Sequence, residues 1–228
     1  MRRGVLITRP EPDASETAER VRGLGFVPVV APVLAVEARD VAAAGRYDAV
    51  VVTSRNAVGS LPARLRGLPL LAVGSATAAR ARAAGFGTVL DAEGDAEALA
   101  GLALARLVAG SRVLFAHGAG QGDGLAAALQ CGGFAVERRV AYAVSAAAEL
   151  PEAAGRALQR GDLRSAMFLS AETARAFVRL LPTGLRPHLE RVEAVAIGAM
   201  AADVLAPLPW HRVRVSVKPT LDEVLALI

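Results

Sequence analysis

The chain has 228 residues, 54% of them hydrophobic, a net charge of +4 and a single cysteine, Cys131. That composition can bury a full core, which excludes a disordered chain. One thiol excludes an intrachain disulfide and fits a reducing compartment. The longest apolar run, Val27 to Val36, is broken by Pro28 and Pro32 and falls short of the roughly 20 residues that a bilayer span needs. No apolar signal-peptide core follows Met1-Arg2-Arg3, so a cytoplasmic location is expected. The positive charge is nearly all arginine, with Lys218 the only lysine, and no basic run carries interleaved aromatics. Neither nucleic acid nor a membrane is therefore an expected partner, whereas a small, multiply acidic ligand stays open.

In chain order the strand-like runs are Val5–Thr8, Val27–Ala31, Ala49–Thr53, Leu70–Val73 and Thr88–Leu90, then Val113–Ala116, Ala135–Arg138, Ala166–Leu169, Val192–Ile197 and Val213–Val217. Most are continuous apolar or β-branched segments, as expected for parallel strands covered on both faces. Stretches with helical spacing lie between them, among them Glu16–Leu24, Thr77–Ala84 and Thr173–Leu181. Gly25 and Gly85 stand where such helices stop. The alternation predicts doubly wound α/β sheets.

An internal repeat argues against one wide sheet. Val5-Leu6-Ile7-Thr8 through Gly25-Phe26-Val27 is similar to Val113-Leu114-Phe115-Ala116 through Gly133-Phe134-Ala135. Ala49 to Ser54 resembles Ser165 to Ser170, Leu71-Ala72-Val73-Gly74 resembles Val195-Ala196-Ile197-Gly198, and Asp95 aligns with Thr220. The order of the matches is permuted. It predicts one α/β domain over residues 38–139, inserted into a second built from 1–34 and 147–228. Two extended crossings, 35–37 and 140–146, would pair as a hinge, and five parallel strands are expected in each domain.

Ligands of open parallel sheets sit beyond the carboxyl ends of the strands. The polar residues there are Thr8, Arg9, Ser54, Arg55, Gly74, Ser75, His117, Gly118, Ser170 and Gly198. Ser54 and Ser170 stand at helix starts, where they cap the helix, an effect of about 1 kcal/mol. The free N–H groups at the same helix starts can receive carboxylates. The run Gly118-Ala119-Gly120-Gln121-Gly122-Asp123-Gly124 follows a strand and opens a helix, with Glu137 at the end of the next expected strand. That is the context of a dinucleotide loop, but the third glycine of the fingerprint is Asp123 in one register and Leu125 in the other. His117, His188 and His211 lie far apart without ligand spacing, so no metal site is expected. Cys131, Trp210 and Tyr47 read as packing residues and Lys218 as solvated. Tyr142 differs, because the alternating Val140-Ala141-Tyr142-Ala143-Val144 places a phenol in a crossing segment, either packed on a neighbour or lining an interdomain cleft as a hydrogen-bond donor.

In this order and spacing, Val5 to Pro10, Val51 to Val58, Ala72-Val73-Gly74, Tyr142, Phe168-Leu169-Ser170 with Ala174 and Phe177, Ala196-Ile197-Gly198 and Pro219-Thr220 together resemble the uroporphyrinogen-III synthase family along essentially the whole chain. Ala116-His117-Gly118 stands where the family often has Leu-Arg-Gly, and Ala199-Met200-Ala201 where it has Thr or Ser after the last Ile-Gly. The resemblance implies two flavodoxin-like doubly wound parallel-sheet domains joined by a two-stranded β hinge. It implies a cofactor-free, monomeric lyase that cyclises hydroxymethylbilane, an acidic linear tetrapyrrole, with loss of water and inversion of the terminal pyrrole. Tyr142 matches the family's tyrosine beside the departing hydroxyl, and the strand-end residues named above would bind the substrate. Two other readings compete: a nucleotide-dependent oxidoreductase using Gly118–Gly124, and a non-catalytic two-lobed ligand-binding protein.

Overall fold

A computed structural model describes residues 3–228. The chain divides into two compact units, one formed by Met1–Ala35 with Ser145–Ile228 and the other by Val36–Val144.

The first unit is a five-stranded sheet of β1 (Gly4–Ile7), β2 (Val27–Val30), β9 (Leu163–Phe168), β10 (Glu193–Ala196) and β11 (Arg212–Val215), in the order β11-β10-β9-β1-β2. Every pairing is parallel. Its helices are α1 (Asp13–Gly23), α6 (Glu152–Arg160), α7 (Ala171–Leu180), α8 (Ala199–Leu205) and α9 (Leu221–Leu225). One face of the sheet buries Val5, Ile7, Met167 and Val195 against Ala14, Ala18 and Val21 of α1 and Val224 of α9. Among the covering residues of α7, Phe177 meets Phe168 edge-on at 5.2 Å and stacks on Trp210 at 5.8 Å. The packing of Trp210 predicted from sequence is thus an aromatic trio. Pro28 suits β2 because β2 is an edge strand. Val27 and Ala31 donate their N–H groups to Arg3 and Ile7 of the neighbouring strand, so the position between faces away from the sheet and needs no donor.

The second unit contains β4 (Ala49–Val52), β5 (Leu70–Ala72), β6 (Val89–Asp91), β7 (Arg112–Gly118) and β8 (Ala135–Ala146), with α2 (Arg55–Val58), α3 (Ser75–Ala83), α4 (Ala96–Arg106) and α5 (Asp123–Cys131). With β3 (Leu34–Ala38) the order is β3-β8-β7-β4-β5-β6. This sheet corrects the expected five strands. The strand read as Ala135–Arg138 and the crossing after it are one twelve-residue strand, β8, because their backbone groups find partners without interruption. The other crossing, β3, pairs along the far part of β8. Arg39 donates to the Ala141 carbonyl at 2.8 Å and Ala147 to that of Val33 at 3.0 Å, an antiparallel sequence of partners.

The repeat seen in the sequence is present in the topology. Counted from β1, the first sheet has the order 2-1-3-4-5 of a flavodoxin-like fold. Counted from β7 and leaving aside β3, the second has the same order. Matched positions do matched work: Gly25 and Gly133 follow the paired helices α1 and α5 with φ of 83° and 86°, and Asp95 and Thr220 each cap a helix through the side chain. Cys131 is exposed at the end of α5 and not packed as expected.

The fold makes the aromatic trio a stability centre for the first unit. Phe177→Ala is expected to lower unfolding stability by about 3–5 kcal/mol through lost burial and an unfilled cavity. Urea denaturation checks this, and a loss below about 1 kcal/mol would mean that the site collapses onto Phe168 and Trp210.

Candidate functional site

The order 2-1-3-4-5 reverses direction between β1 and β9 in the first unit and between β7 and β4 in the second. Open α/β sheets bind ligands beyond the carboxyl ends of the strands at such a reversal. In the first unit Thr8 and Arg9 follow β1 and Ser170 follows β9, with Gly198 beyond the next strand, β10. In the second, His117 and Gly118 end β7 and Ser54 follows β4, with Gly74 beyond β5. The fold therefore gathers Thr8, Arg9, Ser170 and Gly198 at one sheet end, and Ser54, Arg55, Gly74, Ser75, His117 and Gly118 at another.

Several of these side chains are occupied within the protein. The buried Thr8 hydroxyl donates to the Met167 carbonyl at 2.7 Å, tying β1 to β9. Arg9 pairs with Asp13 and donates to Thr17 at 3.1 Å, which sets it along α1. Ser54 accepts from the Asn56 N–H at 3.2 Å and Ser170 from the Thr173 N–H at 3.0 Å, so both are N-caps as their position predicts. His117 is buried beside Phe115, with its Nδ1 2.8 Å from the Gly118 carbonyl. Because a carbonyl only accepts, the ring carries its proton on Nδ1 there.

Gly74 and Gly198 are different. They cap α3 and α8 with φ of −165° and −179°, extended values that any residue adopts, and a Cβ on either would meet no atom within 4 Å. Neither conformation nor crowding requires glycine at these two matched positions, and each leaves open space in front of its helix. The Gly74 carbonyl accepts from Thr77 and Ala78, and that of Gly198 from Ala201 and Ala202. The amides before them, Ser75 and Ala76 in α3 and Ala199 and Met200 in α8, have no partner within their helices. The side chains of these four residues are exposed or half-buried.

Tyr142 owes its orientation to a β-bulge. His117 pairs with Val140 but Gly118 pairs with Tyr142, so Ala141 is an extra residue in β8. The Ala141 carbonyl accepts from the Ser60 hydroxyl at 2.7 Å and from the Arg39 N–H at 2.8 Å. The bulge brings Tyr142 onto the same face of the sheet as its neighbour Ala141, within one core cluster. The ring is 4% exposed, and its hydroxyl donates to Oε1 of Gln121 at 3.2 Å. Gly118 is required by this packing, since a Cβ there would lie 2.7 Å from the tyrosine Cζ. Of the two sequence alternatives for Tyr142, the structure shows the packed ring, with a hydroxyl that donates to Gln121. Gln121, Ser60 and the bulge were not foreseen, although a lone amide between Gly120 and Gly122 was a visible signal.

The dinucleotide reading loses its acidic partner here. Glu137 lies near the start of β8, opposite Leu114, and not at a strand carboxyl end. It accepts from the Tyr47 hydroxyl at 2.6 Å and from Arg112 at 2.8 Å, and it pairs with Arg139 at 2.7 Å. The glycines of the loop serve local geometry: Gly120 and Gly122 have φ of 69° and 84°, and a Cβ on Gly122 would strike the Phe115 ring at 2.6 Å. Among the described residues no group of three or more His, Cys, Asp or Glu is placed to hold a metal ion. No helix among them is long and apolar enough to cross a membrane.

Two repeated doubly wound units, each with a capped helix start at its strand reversal, define a duplicated flavodoxin-like α/β protein. The chain belongs to the uroporphyrinogen-III synthase family: the family model described as uroporphyrinogen-III synthase HemD matches residues 15–226. Among solved structures it is similar to the uroporphyrinogen-III synthetase of Helicobacter pylori, with 20% identity, a TM-score of 0.66, and 100% of this chain and 98% of that one covered. It is also similar to a mutant uroporphyrinogen III synthase of the extremely thermophilic bacterium Thermus thermophilus, with 22% identity, a TM-score of 0.50, and 98% and 96% covered. At these identities the likeness concerns the fold. No curated protein matches the chain.

The Glu137 cluster yields a pH prediction. The Tyr47 hydroxyl first, and Arg112 second, hold the Glu137 carboxyl below its usual range. Its contribution is therefore complete above the unfolded value of about 4.3 and is lost as pH falls from there through the lower folded value. Glu137→Gln keeps an acceptor for Tyr47 but removes the charge. It is expected to flatten the fall in melting temperature below about pH 4.5, as followed by circular dichroism.

Proposed function

We propose that the chain is a uroporphyrinogen-III synthase that cyclises hydroxymethylbilane with loss of water and inversion of its terminal pyrrole ring. The family match over residues 15–226 carries this reading. The reaction needs little covalent machinery. Loss of the hydroxyl gives a resonance-stabilised azafulvene cation, driven by the pyrrole nitrogen. Attack at the already substituted position of the last ring then forms a spiro intermediate, which fragments and recloses. The enzyme's task is to hold a flexible chain in the one geometry that favours inversion over direct closure.

The residues at the strand reversals suit that task. The helix-start amides beside Gly74, Gly198, Ser54 and Ser170 offer N–H groups to the substrate's carboxylates, and the open space at the two glycines admits a ligand close to the backbone. Tyr142 supplies the donor for the departing hydroxyl. Its proton rests on Gln121 at 3.2 Å, a long bond that a substrate oxygen can displace. A cytoplasmic, monomeric enzyme acting without cofactor fits this chemistry, since each step is driven by the substrate's own electrons and by position.

Tyr142→Phe tests the assignment together with the function. Wild-type protein given fresh hydroxymethylbilane is expected to yield the type III isomer. Removing the hydroxyl leaves the ring's packing and is expected to slow type III formation by up to about 10²-fold, with the melting temperature almost unchanged. A variant with wild-type kinetics would remove Tyr142 from the mechanism. Wild-type protein that leaves only the spontaneous type I isomer would end the synthase reading.

A further inference from the structure

A recess lies in the first unit at the amino-terminal end of its strands, opposite the strand-end residues described above. Its volume is about 620 Å³, and its walls include Arg3, Gly4, Val27, Arg156, Arg160 and Asp162. Gly4 and Val27 begin β1 and β2, and Asp162 immediately precedes β9. The recess is thus removed from Thr8, Arg9 and Ser170 by the full length of the sheet. It falls within the roughly 300–1,000 Å³ of small-molecule sites.

Its lining combines two chemistries. Val27 and Val29 of β2 form an apolar floor, and Val27 is 57% exposed, unusual for a strand residue on a sheet covered by helices. Helix α6 crosses above β2 with alanines at 153 and 157, whose small side chains leave the volume open. Arg156 and Arg160 stand one turn apart on that helix face, and Arg3 comes from the chain before β1. Arg156 pairs with Glu152, but among the described residues Arg3 and Arg160 form no ion pair. Stabilisation of the last turn of α6 accounts for Arg160. It does not account for Arg3, which belongs to another element and converges on the same recess.

We propose that this recess is a binding site for an organic anion bearing two acidic groups, carboxylate or phosphate, on an apolar body. The two uncommitted guanidinium groups meet the acidic groups with paired, charge-assisted hydrogen bonds. The valine floor covers the apolar body. An added peptide strand is disfavoured as occupant, because Pro28 has no N–H to offer along the free edge of β2.

The test is titration of the full ¹⁵N-labelled chain, followed by amide chemical shifts. Benzene-1,3-dicarboxylate and benzene-1,3-diyl bisphosphate are the two probes, each with two acidic groups on one ring, and inorganic phosphate is the control without an apolar body. Saturable shifts are expected at Gly4, Val29, Ala157 and Asp162, with the amides after β1 and β9 unmoved. The tighter of the two organic probes identifies the acidic group. Inorganic phosphate should bind more weakly than either. Arg3→Gln with Arg160→Gln, both substitutions at exposed positions, should weaken binding about tenfold or more while the rest of the spectrum overlays wild type. Three results would each overturn the proposal: no saturation by either organic probe below about 10 mM, equal affinity in the double variant, or shifts confined to the strand carboxyl ends.

Discussion

Parallel strands impose the constraint on which this molecule depends. Each must be followed by a crossover, and a right-handed crossover through a helix returns every chain to the same end of the sheet. Strand carboxyl ends and helix amino ends are thereby collected along one edge, where the first amides of each helix lack partners. In the first unit the sheet is locked at this edge by polar side chains spent inward: Thr8 on the Met167 carbonyl in one turn and Ser216 on the Ile197 carbonyl in another. What remains outward is mostly backbone. In that setting a protein can receive an acidic ligand without assembling charged side chains.

The two units meet the constraint with the same order of strands and with matched turns, yet they spend their side chains differently. Ser54 and Ser170 cap their helices, whereas Gly74 and Gly198 leave the helix start bare. Tyr142 has no counterpart in this scheme. It depends on a bulge that exists because Ser60 and Arg39 satisfy the carbonyl of the extra residue, Ala141. Without that extra residue, strand alternation would turn the tyrosine to the opposite face and away from Gln121. The orientation of the Tyr142 hydroxyl thus comes from a backbone irregularity, whereas the open amides at Gly74 and Gly198 come from regular structure.

Much of this was legible in the sequence because it is local. Apolar, β-branched runs such as Ala49–Val52 and Val113–Ala116 read as buried strands, Gly25 and Gly85 stop helices with the positive φ that glycine allows, and Ser54 and Ser170 cap where they stand. The permuted order of the repeat anticipated the common topology. What was not legible depends on partners distant in the chain. The pairing of the two crossings was expected, but nothing in Ala135–Arg138 shows that this strand runs unbroken into the second crossing, which depends on β7 and then β3 pairing along it. Glu137 stood by spacing where a dinucleotide loop has its acidic residue, but Tyr47, just before β4, and Arg112 of β7 make it part of a structural cluster. The exposure of Cys131 follows from which face of α5 meets the sheet, which a row of small residues does not specify.

We propose that the strand-end amides, and not charged side chains, receive the acidic groups of the substrate, and amide mapping with uroporphyrinogen III under reducing conditions tests this most directly. The prediction is a saturable shift at the amides of residues 55, 75–76, 171–172 and 199–200, while Arg9→Gln changes the affinity by less than about threefold, because its guanidinium is engaged with Asp13 and Thr17. Saturation with these amides unmoved, or affinity lost with Arg9, would contradict it.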